Sequence, residues 1–306
     1  MSTDFQHRSV LLDATVELLA PRPGGRYLDG TLGGGGHSEL LLQRSAPDGF
    51  VLGLDRDLSA LDAARARLAP FGSRFEARQG RASQLAELAA DQGPFDGMLL
   101  DLGVSSPQLD RAERGFSFQQ DGPVDMRMDP SQGASAAELL DELDEDELVD
   151  ILSQLGEEPR ARRIARAVLA GRPWTSTLAL ADCVARASGY HGSRTHPATR
   201  TFQALRMAVN EEPQELLAAL DAAESLLGPG GRLAIISFHS LEDRVVKHRF
   251  RALCGLDAPR DPYGNPLHPP GWALLTRRGV SGADADPDNP RARSARLRVI
   301  QRLSVT

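Results

Sequence analysis

Three aspartates stand where apolar runs of the sequence end, and the first of them leads into a turn made almost entirely of glycine. Asp29, Asp55 and Asp101 each close such a run, and the glycines Gly33–Gly36 follow the first one. Because the carboxyl ends of parallel strands meet at the edge of an open sheet where ligands bind, we expect these aspartates to lie together. A glycine turn lets a ligand approach the backbone and exposes the amides of the next helix. The pattern predicts a nucleotide-like cofactor.

The spacing narrows the choice of cofactor. Asp55 follows the glycine turn by about twenty residues, where a doubly wound fold places the carboxylate that accepts hydrogen bonds from ribose hydroxyls. The glycines do not follow the dinucleotide pattern G-x-G-x-x-G, which favours adenosine with a small appendage and disfavours an NAD-dependent oxidoreductase. Two simpler interpretations stay open: aspartates also cap helices and form turns, and glycine-rich turns also join strands to helices without a ligand.

Composition limits the class of protein. The chain has 306 residues, 41% hydrophobic and 25% charged, which is ordinary for a globular protein, and its net charge of -7 argues against a uniformly basic surface that coats nucleic acid. Its two cysteines, Cys183 and Cys254, lack the spacing of a zinc site or a disulfide framework. No apolar run reaches membrane-spanning length and no signal region precedes the first strand, so we expect a cytoplasmic enzyme without a metal or a membrane anchor.

The order of elements predicts an α/β fold that is interrupted once. Strands and helices alternate as far as Asp101, and a loop-like stretch and a series of helices follow. Two of these helices begin with capping boxes, Ser135 with Glu138 and Asp144 with Glu147. The sheet resumes at 232–238 and ends in two strands that we expect to close it in antiparallel fashion. We therefore predict a discontinuous cofactor-binding domain, 1–104 with 208–306, and an all-α insertion, 105–207, for substrate recognition.

Several longer motifs make the chain similar to a known family. The match runs from His7 to Ser294, and its most specific segments are 101–110, 113–118, 125–129, 196–203 and 237–244. In these motifs the chain resembles the MraW/RsmH family of S-adenosylmethionine-dependent 16S ribosomal RNA cytosine-N4 methyltransferases. The resemblance implies a class I, Rossmann-like methyltransferase sheet, and as substrate a cytidine in the decoding region of the small ribosomal subunit. It leaves open whether the enzyme is a monomer or a homodimer.

The resemblance also implies which residues contact S-adenosyl-L-methionine. Ala82 stands where family members usually have a phenylalanine beside the adenine. Gly34 is included because it lies in the glycine turn, next to the implied contacts Gly35 and Gly36. The predicted cofactor-binding residues are Gly34, Gly35, Gly36, His37, Asp55, Ala82, Asp101 and Gln108.

The chemistry of the implied reaction suggests catalytic residues. The exocyclic N4 of cytosine is a poor nucleophile because its lone pair is drawn into the ring, so the enzyme must orient the amine and accept its hydrogens. Asp101, Ser105 and Ser106 offer a carboxylate and two hydroxyls at the end of the fourth strand. The methyl donor supplies the reactivity, so no metal is required. The alternative interpretation is that both serines only shape the loop.

An RNA base must leave its stack to enter such a site, and unpaired bases are commonly held by aromatic and arginine side chains. The predicted substrate-binding residues are Arg127, His196, Arg200 and His239, with Phe116 and Phe118 as further candidates that could equally pack the insertion. Two other functions stay open: a methyltransferase of the same fold that acts on another RNA, a protein or a small molecule, and a noncatalytic RNA-binding factor.

Overall fold

The computed structural model describes residues 8–189, 196–259, 261, 263, 267 and 269–304, so His7, where the family resemblance begins, lies outside the described residues. The chain forms two compact units. We call Met1–Gly103 with Gln214–Thr306 the sheet unit and Val104–Pro213 the helical unit. The second boundary follows Pro213 instead of residue 207 because Asn210 is bound into the helical unit, where its side chain accepts from the Met128 amide at 2.8 Å and donates to the Met126 carbonyl at 2.7 Å.

The main elements follow one another in the order that the sequence predicts. The first part of the sheet unit contains α1 (Leu12–Leu19), β1 (Arg26–Asp29), α2 (Gly36–Arg44), β2 (Phe50–Asp55), α3 (Leu58–Leu68), β3 (Phe75–Gln79), α4 (Leu85–Leu88) and β4 (Phe95–Asp101). The helical unit contains α5 (Ser106–Asp110), α6 (Ala136–Glu142), α7 (Glu145–Gln154), α8 (Ala161–Ala170), α9 (Thr177–Ser188) and α10 (Ala198–Val209). The chain continues with α11 (Glu212–Leu226), β5 (Leu227–Ser237), α12 (Ser240–Leu253), β6 (Trp272–Leu274), β7 (Val280–Ser281), α13 (Gly282–Ala285) and β8 (Arg296–Arg302). Of these elements, α5, β7 and α13 have no counterpart in that prediction.

The sheet has the strand order β3-β2-β1-β4-β5-β8-β6, and β7 also pairs with β8. Strands β1 to β5 are parallel, whereas β8 runs antiparallel to β5 and pairs in the same way with β6 and β7. This confirms the predicted Rossmann-like α/β sheet, mostly parallel with an antiparallel closing strand. Strands β1, β2 and β3 follow one another toward one side of the sheet, and β4 then lies on the other side of β1. The strand order therefore reverses between β1 and β4, which is the point where such sheets bind ligands.

Both faces of the sheet are covered, as the continuous apolar strands require. Neighbouring residues of β1 point to opposite faces, so Tyr27 and Leu28 belong to two different apolar clusters. One cluster includes the apolar sides of α11 and α12, and the other those of α1, α2 and α3. None of the helices in the described residues combines the length and apolar character that a membrane-spanning helix requires.

The helical unit has an apolar core of its own, formed mainly by α6 to α10. The predicted capping boxes open α6 and α7: the side chains of Ser135 and Asp144 accept from the backbone amides of Glu138 and Glu147. The carboxylates of Glu138 and Glu147 in turn accept from the backbone amides of Ser135 and Asp144. The all-α character predicted for the insertion is therefore confirmed, and local capping signals explain where two of its helices begin.

Candidate functional site

The three strand-end aspartates lie side by side at one edge of the sheet, as predicted. Asp29 is paired with Gly53 on one side and Leu99 on the other, so Asp55 and Asp101 each stand two residues beyond it on the neighbouring strands. Burial raises the pKa of both Asp29 and Asp101, and the neighbouring charges add to this effect, Asp55 on Asp29 and Asp29 on Asp101. The edge thus concentrates negative charge, which suits a ligand that carries a cation and hydroxyl donors.

The glycine turn passes in front of this edge. Gly33 and Gly35 have φ angles of 51° and 77°, which residues with a Cβ rarely adopt. The Gly33 amide donates to Oδ2 of Asp55 at 2.8 Å, which fixes the turn against β2. A Cβ built on Gly34 would meet no atom within 4 Å, so open space lies beside the backbone there. The turn is therefore a rigid backbone surface with room in front of it.

Asp55 does not cap the helix that follows it. The N-cap of α3 is Asp57, whose carboxylate accepts from the Ser59 amide at 3.0 Å. Asp55 instead accepts from the amides of Gly33 and Asp57 at 2.8 and 2.9 Å, one on each oxygen. Burial raises the pKa of Asp55. Since each carboxylate oxygen has two lone pairs, Asp55 keeps acceptor capacity for a diol.

Asp29 is buried and holds the start of α2. Its Oδ2 accepts from the Ser38 hydroxyl at 2.7 Å and its Oδ1 from the Thr31 amide at 3.3 Å. Burial raises the pKa of Asp29 to about 6, and the hydrogen bonds from Ser38 and Thr31 partly offset this effect. The sequence predicts Asp29 at this edge. In the structure its carboxylate also holds both ends of the glycine turn, through Thr31 before it and Ser38 after it.

This buried carboxyl predicts a pH dependence of stability. The pKa of Asp29 is about 6 in the folded protein and ordinarily 3.8, so between these values the folded state holds a proton that the unfolded chain has lost. Stability must then fall as the pH rises through this interval, by about 3 kcal/mol for a shift of this size. Urea denaturation of the wild type and of Asp29→Asn at several pH values measures the difference. We expect the variant to gain stability relative to the wild type as the pH rises; parallel profiles would contradict this assignment.

Asp101 carries the least satisfied carboxylate of the edge. Its backbone amide donates to Oγ1 of Thr31 at 2.6 Å, which places the residue, but its buried Oδ1 accepts no hydrogen bond from any residue that the structure describes. Burial, then Asp29, then Glu242 raise the pKa of Asp101 well above its ordinary value. A buried acceptor without a donor is costly, so this oxygen indicates the place of a ligand donor.

His37 faces the same carboxylate. Its Nε2 lies 3.1 Å from the carbonyl oxygen of Val10, which can only accept, so Nε2 carries the proton and Nδ1 is an acceptor. Burial lowers the pKa of His37 to about 4, which keeps the ring neutral near pH 7. The Nδ1 atom lies 3.9 Å from Oδ2 of Asp101. Two acceptors thus face each other, an arrangement that favours a cationic donor between or beside them.

Glu242 is a residue of the site that sequence reasoning missed. It is buried near the N-terminus of α12, where its Oε2 accepts from the amides of Phe238 and His239 at 2.9 and 3.3 Å, and its charge contributes to the raised pKa of Asp101. Nε2 of His239 lies 3.0 Å from Oε1 of Glu242. His239 and Glu242 have the spacing of a capping box, and this local pattern is the signal in the sequence that could have indicated Glu242.

Ala82 lies in the turn after β3. It opens a short 3-10 helix, Ala82–Gln84, and packs partly buried against one apolar cluster of the sheet unit. Glu215 holds this turn by accepting from the amide of Ser83 at 2.8 Å and from its hydroxyl at 3.1 Å. The turn therefore has a fixed backbone, to which Ala82, the predicted adenine contact, contributes a methyl group.

The remaining predicted site residues belong to the helical unit. Ser105 precedes α5, and its amide donates to Oε1 of Gln108 at 2.9 Å, which closes the first turn of this short helix. Ser106 and Gln108 are buried. The structure thus shows a local structural role for Gln108.

The predicted RNA-contacting side chains differ in how firmly they are held. Arg127 forms a two-pronged ion pair with Asp125, at 2.9 and 2.6 Å. His196 packs on Phe118 with ring centroids 4.8 Å apart. Arg200 is exposed on α10 and donates to the Glu157 carbonyl at 3.0 Å. Arg200 and His196 are both exposed, whereas Arg127 is partly buried.

The two phenylalanines support the packing interpretation. Phe116 is buried, and Phe118 lies edge to face with Phe202 at 4.8 Å between centroids, within the core of the helical unit. The apolar surface of Phe118 therefore stabilises the unit itself.

The chain was compared with protein families, curated proteins and solved structures. Residues 4–303 match the model of the MraW methylase family. A protein named ribosomal RNA small subunit methyltransferase H from Trichlorobacter lovleyi is 53% identical over 98% of this chain and 99% of its own, and one of the same name from Myxococcus xanthus is 53% identical over 99% of both. A solved structure described as a putative rRNA-methylase from Clostridium thermocellum has a TM-score of 0.46 at 10% identity, covering 97% of this chain and 98% of the other.

The family model spans nearly the whole chain, and the relatives match it from end to end. The chain belongs to the MraW methylase family and is an S-adenosyl-L-methionine-dependent methyltransferase.

Proposed function

We propose that the acidic edge of the sheet unit binds S-adenosyl-L-methionine, with its α-ammonium group at Asp101 and His37. The observation that supports this most strongly is the buried, undonated Oδ1 of Asp101 beside the acceptor Nδ1 of His37. An ammonium group has three donors and a positive charge, so it satisfies both acceptors and offsets the repulsion from Asp29 and Glu242. The residues present fit the charge of the methyl donor.

The other parts of the cofactor fit the rest of the edge. Asp55 would accept from the ribose hydroxyls, for which its two oxygens retain lone pairs after binding the turn. Gly34, Gly35 and Gly36 form the backbone surface against the amino-acid portion, and Ala82 would border the adenine. We keep Gln108 as a cofactor contact on the family resemblance alone, since its amide oxygen already closes the first turn of α5. When bound, the cofactor supplies a methyl group on a positively charged sulfur.

We further propose that the methyl acceptor is N4 of a cytidine in 16S ribosomal RNA, within the decoding region of the small subunit. The names of the relatives state that they act on small-subunit ribosomal RNA. Because the N4 lone pair is delocalised, a catalyst must hold the amine by its hydrogens and point its lone pair at the methyl group. Asp101 and the hydroxyls of Ser105 and Ser106, four and five residues further along the chain, are the acceptors that we assign to this task. Because the proposed substrate is ribosomal RNA, we also propose a cytoplasmic location for the enzyme.

Substrate recognition is assigned to the inserted residues 105–207 together with His239. Arg127, His196 and Arg200 are the proposed contacts of the insertion. Exposed arginines bind phosphates and stack on unpaired bases, and Arg200 is exposed. The mainly negative charge of the whole chain favours a few local contacts of this kind over a basic coat.

Arg200→Ala should separate RNA recognition from cofactor binding. We expect methyl transfer to ribosomal RNA to fall about tenfold, the loss of one charged contact, while calorimetry shows an S-adenosylmethionine affinity within twofold of the wild type. Arg186→Ala, which removes another exposed arginine of the helical unit, is the matched control and should retain full activity. If Arg200→Ala instead weakens cofactor binding, its contribution is structural and the assignment is wrong.

The class of substrate is tested by offering radiolabelled S-adenosylmethionine with three acceptors in parallel. These are deproteinised 16S ribosomal RNA, intact small subunits and ribosomal protein stripped of RNA. The proposal predicts label in RNA from at least one of the first two and none in protein. Label in protein, or in neither RNA sample although the cofactor binds, would favour another methyl acceptor.

A further inference from the structure

The first described residues of the chain cross the glycine turn. The carbonyl oxygen of Val10 accepts from Nε2 of His37, and the hydroxyl of Ser9 occupies the place that a Cβ on Gly36 would take. A side chain at position 36 would therefore collide with the Ser9 hydroxyl. This contact gives the segment Ser9–Leu11 a direct influence on the ring that faces Asp101.

A buried aspartate from the far end of the chain holds this segment. Oδ2 of Asp286 accepts from the Leu11 amide at 3.0 Å, across 275 positions of sequence. The side-chain amide of Asn289 donates to the same carboxylate oxygen at 3.2 Å and to the Arg8 carbonyl at 3.4 Å. The guanidinium of Arg8 lies 3.8 Å from the other oxygen of Asp286. Several contacts thus converge on four consecutive residues.

The backbone of Leu11 explains why such an anchor is needed. Leu11 has a φ angle of 54°, a left-handed conformation that costs free energy in any residue with a Cβ. This conformation bends the chain from the segment beside the glycine turn into α1. It also orients the Leu11 amide, which donates to Asp286. Without this acceptor, the strained conformation would lose its partner, and the Val10 carbonyl would lose its fixed direction.

Asp286 is itself tied to the sheet. Its amide donates to the Gly282 carbonyl at 2.9 Å, and the Gly282 amide donates to the Ala295 carbonyl at 2.8 Å, next to the first residue of β8. Only 3% of Asp286 is exposed, so its carboxylate is shielded from competing water. Hydrogen bonds therefore connect Ala295, next to β8, through Gly282 and Asp286 to Leu11, and the adjacent residue Val10 contacts His37.

We propose that Asp286 is a positioning residue for the methyl-donor site, which acts by holding the Val10 carbonyl against His37. This carbonyl selects the tautomer with the proton on Nε2, and so presents Nδ1 as an acceptor beside Asp101. The inference rests on the proposed role of His37 in binding the cofactor. It explains why a loop far away in sequence belongs to the same functional unit as the glycine turn.

The test compares Asp286→Ala with Asp288→Ala, which removes an exposed aspartate two residues away. We expect calorimetry to show that Asp286→Ala weakens S-adenosylmethionine binding about tenfold, while Asp288→Ala binds within twofold of the wild type. Asp286→Asn should restore most of the affinity, because its amide oxygen can still accept from Leu11. Asn289→Ala, which removes one of the converging contacts, provides a milder variant if Asp286→Ala does not fold.

Nitrogen-15 NMR of the imidazole of His37 separates positioning from a merely structural role. The wild type and Asp288→Ala should show the proton on Nε2 alone, whereas folded Asp286→Ala, or Asn289→Ala in its place, should show a mixture of tautomers. Unchanged tautomer and affinity in a folded variant would overturn the inference. A wild type that binds no S-adenosylmethionine would overturn the proposed site itself, and His37→Ala with wild-type affinity would remove the role of His37 on which the inference rests.

Discussion

Replacing Asp101 with asparagine is expected to weaken S-adenosylmethionine binding about 100-fold. The substitution keeps the shape of the side chain but removes the charge opposite the ammonium group, and hydrogen bonds to charged groups are worth about 1.5–3 kcal/mol. The buried Oδ1 without a donor and the nearby Nδ1 of His37 make this position the strongest point of attraction in the edge. Methyl transfer at subsaturating cofactor should fall at least as far.

The same substitution should change how binding depends on pH. Burial and two neighbouring acids raise the pKa of Asp101, and a protonated carboxyl cannot attract a cation. Affinity in the wild type should therefore increase as the pH rises through this raised pKa, as long as the α-amino group of the cofactor stays protonated. In Asp101→Asn the increase should be much smaller, leaving the contribution of Asp29, whose pKa is about 6.

Calorimetric titrations at several pH values measure both effects. Asp96→Asn is the matched control, because Asp96 lies near the opposite end of β4, where it pairs with Arg22 at 2.6 Å. This variant should bind the cofactor within twofold of the wild type. Equal affinity and an equal pH profile for Asp101→Asn and Asp96→Asn would show that Asp101 does not meet the ammonium group.

Asp55→Ala is expected to have the second largest effect, a loss of cofactor affinity of roughly 10- to 100-fold. The variant loses the proposed acceptor for the ribose hydroxyls and also the hydrogen bond that fixes the Gly33 amide. Loss of the second contact frees the turn and adds an entropic cost to binding. The effect should appear in the dissociation constant measured by calorimetry, with adenosine alone losing affinity as well.

Asp57→Ala distinguishes this role from helix capping. Asp57 caps α3, so its removal should cost about 1 kcal/mol of stability in denaturant titrations, with cofactor affinity within threefold of the wild type. The reverse result, a stable Asp55→Ala protein with unchanged affinity, would contradict the assignment of Asp55 to the ribose.

The parts of this fold that the sequence predicts are those with local signals. Strands of apolar residues that end in aspartate, the glycine turn and the capping boxes at Ser135 and Asp144 are all read within a few residues of chain. Parallel topology then brings Asp29, Asp55 and Asp101 to one edge without further information. The same short stretches predict a nucleotide-like cofactor, whereas S-adenosylmethionine is implied by the family resemblance.

The parts that it does not predict depend on distant contacts. The position of β8 between β5 and β6, the influence of Glu242 on Asp101 and the contact of Asp286 with Leu11 join residues that no local pattern connects. Gln108 is a position where a local pattern is ambiguous, because the same residue type serves in a capping box and in a ligand contact. Only the hydrogen bond from the Ser105 amide shows that the cap is formed.

The most direct test of the account is to identify the methylated atom in the product. Small ribosomal subunits that lack the modification are incubated with the enzyme and S-adenosylmethionine carrying a carbon-13 methyl group, and the 16S ribosomal RNA is digested to nucleosides for mass spectrometry. We predict that the heavy methyl group appears in N4-methylcytidine, and that the Asp101→Asn enzyme forms almost none at the same cofactor concentration. A heavy methyl group on carbon 5 of cytosine, on a ribose hydroxyl or on another base would contradict it.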